Sequence, residues 1–112
     1  MVLNAGNAKG IRMDGLNTEG WSFKKIKDFI GETIPVKGYY ITKGKFGDQC
    51  VVIGNGVLIN MPDRAVEEFS DIFADSMNQE LLKAGKISLK NIKPLETKSG
   101  NTTAYDIDAD VE

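Results

Sequence analysis

A chain of 112 residues that is 41% apolar and 27% charged is the size of one domain with a core; it is too short for two ordinary domains and too apolar for disorder. With no histidine and one cysteine, it excludes Ser/His/Asp and Cys/His catalysis, an internal disulfide and any thiolate or imidazole metal site. The net charge of −2 would also argue against a nucleic-acid partner if it were evenly spread, but it is not.

Residues 1 to 20 hold four glycines and three asparagines without a sustained period and are expected to form a loose arm, with a short strand near Ile11 to Met13. Ser22 then fits a helix N-cap, Phe23, Ile26, Phe29 and Ile30 share one helical face, and Gly31 fits a stop. This predicts a short amphipathic helix with Lys24, Lys25 and Lys27 towards water. Thr33 to Thr42 reads as a strand in which Ile34 and Val36 alternate on one parity and Tyr39 and Ile41 on the other, so a bulge or bend is expected at Gly38. Gly44 and Gly47 frame a turn, Gln49 to Ile53 is a second strand, Gly54-Asn55-Gly56 a tight hairpin and Val57 to Met61 a third strand. Pro62 opens a helix with an apolar stripe of Ala65, Val66, Phe69, Ile72, Phe73 and Met77, which continues to Gly85 with a break near Asn78. Ile87 to Leu95 is a fourth strand, and Thr103, Tyr105 and Ile107 mark a fifth before an acidic end. The expected division is an arm over residues 1–20, one domain over 21–107 and an acidic tail over 108–112.

Three strands, a helix and two strands is the order of a five-stranded OB-fold, a small Greek-key β-barrel whose long first strand bends to close it. Such a fold binds oligonucleotides or oligosaccharides on its second and third strands and in the loops after its first and fourth. The charge pattern fits the former. Six lysines lie between Lys24 and Lys45 against two acids, five between Lys83 and Lys98 against one, and six acids between Asp63 and Glu80 against Arg64. Segregation of this kind permits one phosphate-attracting face on an acidic molecule. The expected nucleic-acid contacts are Lys37, Tyr40, Lys43, Lys45, Phe46, Lys86, Lys90 and Lys98. Lysines meet phosphates, while Phe46 either stacks on a base or folds back over the barrel end. Tyr39 reads as core, Trp21 as a plug between arm and barrel, and Cys50 as a buried small hydrophobe. Asp106, Asp108, Asp110 and Glu112 are expected to recruit partners, and their alternation is not taken as a metal site. No catalysis and no cofactor are expected.

The runs GWSFKKIKDFIGE, ITKGKFGDQCVVIG and LINMPDRAVEEF, followed by a lysine-rich strand and an acidic end, resemble the small single-stranded DNA-binding proteins of tailed phages that infect lactococci and related bacteria. The resemblance spans roughly residues 10 to 112. It implies an OB-fold, a homodimer or higher oligomer, binding of single strands without sequence preference, and work beside phage recombination and replication proteins. The tail is similar in kind to the acidic C-termini by which bacterial single-strand binders recruit partners, but it ends in Val111-Glu112 and lacks their terminal Pro-Phe. The other reading is a phage protein-binding module that inhibits a host nucleic-acid enzyme through its acidic surfaces. The chain has no apolar run near the roughly 20 residues that cross a bilayer, and MVLNAGNAKG lacks the order of a secretory leader, so the bacterial host cytoplasm is the expected setting.

Overall fold

The structure, a computed structural model, describes residues 8–13, 15, 17–44, 47–98 and 100–110. It is mainly β: β1 (Ala8–Arg12), β2 (Ser22–Lys25), a 3-10 helix (Ile26–Phe29), β3 (Ile34–Pro35), β4 (Gly38–Gly44), β5 (Gly47–Ile53), β6 (Val57–Asn60), helices α1 (Ala65–Ile72) and α2 (Ser76–Lys83), β7 (Ile87–Thr97) and β8 (Gly100–Ala109). One sheet has the order β1-β4-β5-β6-β2 and the other β3-β7-β8, so the described residues form eight strands in two sheets where five strands were expected.

The parity change at Gly38 marks the joint between the two sheets. Ile34 pairs with Leu89 in the smaller sheet, the Val36 amide donates to the Ile87 carbonyl at 2.9 Å, and the Lys37 amide already donates to Ile53 in the larger sheet at 2.8 Å. Ile34 and Val36 are therefore buried on one parity, and Tyr39 and Ile41 on the other. Gly38 is needed for close approach, since a Cβ there would lie 2.6 Å from that of Arg12 on β1. Gly10 is more tightly placed: at φ 151° a Cβ would fall 2.0 Å from the Tyr39 carbonyl oxygen. Part of the expected loose arm is thus an ordered edge strand, antiparallel to β4.

The segment expected as a helix from Ser22 is instead a strand followed by a 3-10 helix. Ser22 to Lys25 run parallel to Val57 to Asn60, and the Lys25 amide donates to the Asp28 carboxylate at 3.2 Å where the 3-10 turn begins. The physical reason is that a helix of about nine residues is marginal alone, whereas the open edge of β6 offers it backbone partners. Only Ile26 of the supposed apolar face is buried; Phe23 is 58% and Ile30 47% exposed.

The long helix expected after Pro62 is two helices, broken at 73–75 and not near Asn78. Asp75 caps α2 by accepting from the Met77 amide at 2.9 Å. The orphan carbonyls that end α1 are met by side chains of α2: Asn78 Nδ2 donates to Ile72 at 2.8 Å and Gln79 Nε2 to Phe73 at 2.7 Å. The α1 stripe packs on β4 through Phe69 and Phe73, whose ring centroids lie 5.3 and 5.2 Å from that of Tyr39. Tyr39 is core, as read from the sequence. Cys50 is fully buried beside it, and burial, with the Glu68 charge adding, pushes its thiol up to about 12, so it is unionised and inert near neutrality.

Arg64 fastens α1 to β8. Its Nη2 donates to the Thr103 carbonyl at 2.7 Å, its guanidinium lies 5.1 Å from the Tyr105 ring centroid, and the Tyr105 hydroxyl donates to Glu68. Burial, then that hydrogen bond, raises the Tyr105 pKa above its usual value. The β7–β8 hairpin contains one extra residue on β7 between Lys90 and Lys93, where Asn91 takes φ 53° and donates to Asp106 at 2.7 Å. Strand β8 runs to Ala109, past the expected domain end at residue 107, so Asp106 and Asp108 are strand residues. Among the described residues no helix is long and apolar enough to cross a membrane.

Candidate nucleic-acid interface

Alternation gives the larger sheet two distinct faces. Tyr39, Ile41, Cys50, Val52 and Ile59 enter the main core, so their strand neighbours point to the other, outer face. There the pairing register builds two adjacent rows across all five strands. One row reads Gly10, Tyr40, Val51, Asn60, Lys25 and the next Arg12, Gly38, Ile53, Leu58, Phe23. Each row places an aromatic residue and a cation at some distance along apolar ground, with Tyr40 and Lys25 about 14 Å apart at the usual strand spacing.

This outer face has a small core of its own. Val51, Ile53 and Leu58 are buried, and Trp21 and Tyr40, both half-buried, pack against them. Burial raises the Tyr40 phenol above its usual pKa, and the charge of Arg12 draws it part of the way back. Phe23, by contrast, leaves most of its ring in water with Lys25 two residues on along the same face. Exposed aromatic rings beside cations suit base stacking with phosphate neutralisation.

At the end of this face nearest the β4–β5 turn lies a cleft of about 330 Å³, where the end of β2 and the 3-10 helix meet β5, β6 and the start of β8. Lys25, Lys27, Gln49, Asn60 and Asn101 line it above the buried side chains of Ile26 and Met61. Gln49 Nε2 donates to Asn60 Oδ1 at 3.1 Å across the β5–β6 pair. Gln49, two residues after Gly47, and Asn101, next to Gly100, both line this cleft, so the start of β5 and the start of β8 meet at it.

The residues expected to bind nucleic acid are divided by this geometry. Tyr40 is on the outer face, Lys43 is exposed beside the first turn with Asp48 as its strand partner, and Lys98 is exposed in the second turn. Lys45 and Phe46 lie outside the described residues, as does Glu112. Lys37 donates to the Asn55 side chain at 3.3 Å beside the Arg12-Gly38-Ile53 row, and Lys86 precedes Ile87, whose carbonyl accepts from the Val36 amide, on the smaller sheet; neither lines the cleft. Lys90 is exposed but ion-paired to Asp108 at 2.8 Å, and that contact raises its pKa. Of the expected partner-binding acids, Asp106 accepts from Asn91, Asp108 holds Lys90, and Asp110 donates its amide to the Lys86 carbonyl at 2.7 Å.

No protein-family model, curated protein or solved structure matches the chain. The site rests on its own geometry. Arg12, Phe23, Lys25, Lys27, Gln49 and Asn60 were not singled out as binding residues in the sequence. The available signal was Ser22-Phe23-Lys24-Lys25 read as a strand, in which Phe23 and Lys25 share a face.

Proposed function

We propose that this chain binds single-stranded DNA without sequence preference, holding the strand on the outer face of β4, β5 and β6 and in the cleft at its end. The observation that carries the reading is the pair of cross-strand rows in which Tyr40 and Phe23 alternate with Arg12 and Lys25. The two sheets are read as an OB-type barrel: β3 and β4 are the two halves of its bent first strand, β5 and β6 follow, and β7 and β8 come after the helices. In support, β3 pairs antiparallel with β7 while β4 pairs with β5. In place of a pairing between β6 and β8, β2 takes the edge of β6 and leaves the cleft. No catalytic step is invoked. The setting is phage DNA replication and recombination in the host cytoplasm, with a dimer as the working unit, as the resemblance implies. Inhibition of a host enzyme through acidic surfaces draws less support, because Glu68, Asp106 and Asp108 are already engaged by Tyr105, Asn91 and Lys90.

Fluorescence anisotropy of labelled oligo-dT across a salt series tests the reading. Arg12, Lys25 and Lys27 lie on or beside the face, and each phosphate neutralised on a single strand contributes about −0.7 to the slope of log K against log salt, so a slope near about −2 is expected. An absence of binding at the lowest salt overturns it.

A further inference from the structure

We infer that the Gln49–Asn60 amide pair reads the hydrogen-bonding edge of one unpaired base, and that this contact is how the site tells single strands from duplex. The inference rests on the proposed strand-binding face and deepens it. The bond from Gln49 Nε2 to Asn60 Oδ1 fixes both amides and uses one of the two Gln49 N–H groups, which leaves Gln49 Oε1 and its second N–H, an acceptor and a donor on one amide, with no protein partner among the described residues. Both residues are half-buried and line the cleft, so these groups are open to whatever enters it. At about 330 Å³ the cleft is near the small end of ligand sites, which begin at about 300 Å³, and it suits one nucleotide better than two.

The surroundings suit the same guest. Ile26 and Met61 give a base an apolar floor, while Lys25 and Lys27 stand at the rim for its phosphate. Every base carries a donor beside an acceptor on its Watson–Crick edge: N3–H and O4 in thymine, N1–H and O6 in guanine, an exocyclic amine and a ring nitrogen in adenine and cytosine. An acceptor and a donor side by side can therefore engage any base, and reading an edge remains compatible with indifference to sequence. In a duplex that edge is already occupied, so paired bases are refused on chemical grounds and not only by shape.

Oligo-dT and an oligo-dT built from N3-methylthymidine separate this from stacking alone, because the methyl group blocks the edge and keeps the ring face and the backbone charge. The intact chain is expected to bind the methylated oligonucleotide about tenfold more weakly, within the range of a lost bidentate amide–base contact. Gln49→Ala with Asn60→Ala is expected to bind the two oligonucleotides equally. Equal binding of both by the intact chain overturns the edge-reading inference and leaves the strand-binding reading standing, whereas no binding of either removes both. The comparison on the intact chain decides the matter even if the double variant fails to fold.

Discussion

Replacing Phe69 with alanine is expected to lower the unfolding free energy by about 3–5 kcal/mol, the range for deleting a buried phenyl ring. Phe69 is fully buried, and its centroid lies 5.3 Å from Tyr39 on β4 and 5.9 Å from Phe73, so the ring joins α1 to the inner face of the larger sheet. Neither neighbour can collapse into the space freely. The Phe73 carbonyl is held by Gln79, and the backbone of Tyr39 packs against Gly10. A domain of this size is stable by only about 5–15 kcal/mol in total, so the variant should sit close to its unfolding threshold. Urea denaturation at constant m-value measures the loss. A change below about 1 kcal/mol would mean that α1 does not pack on β4 as described.

Phe23→Ala should do the reverse, leaving stability nearly unchanged and weakening oligo-dT binding by about 5- to 150-fold, the equivalent of 1–3 kcal/mol of stacking. The ring is 58% exposed, so its removal opens no cavity, and its backbone pairing with Leu58 on β6 does not depend on the side chain. Lys25→Ala, on the same face, should reduce the magnitude of the salt slope by about one contact's worth without altering stacking. Melting curves and anisotropy on the same samples read both effects. If Phe23→Ala binds as tightly as the parent chain, the ring is not part of the platform.

The β-rich character and the positions of several strands were legible because the signals are local. The double parity of Ile34, Val36, Tyr39 and Ile41 marked a bend at Gly38, although the segment expected as one strand is two, β3 and β4, in different sheets, and Gly54-Asn55-Gly56 marked the turn between β5 and β6, where Gly56 takes φ 76°. What was misread depended on partners far away in sequence. The spacing of Phe23, Ile26, Phe29 and Ile30 is locally helical, and only the free edge of β6 explains why the chain extends there. The break between α1 and α2 is set by Asn78 and Gln79 reaching back to carbonyls, which an apolar stripe does not report. The candidate site was hidden for the same reason. Arg12, Tyr40, Lys25 and Phe23 come from three separate strands, and only register aligns them. Lysine density by itself does not report position: it included Lys90, which is ion-paired to Asp108, and Lys37 and Lys86, which do not line the cleft.

The most direct test is to map amide shift changes by NMR as oligo-dT is added at low salt. Binding on the outer face predicts that Phe23, Lys25, Tyr40, Gln49, Val51 and Asn60 move together while the exposed Glu67 and Asp71 of α1 and Lys83 of α2 stay still. Changes confined to the β5–β6 turn or to the outward side of α1 would contradict the account.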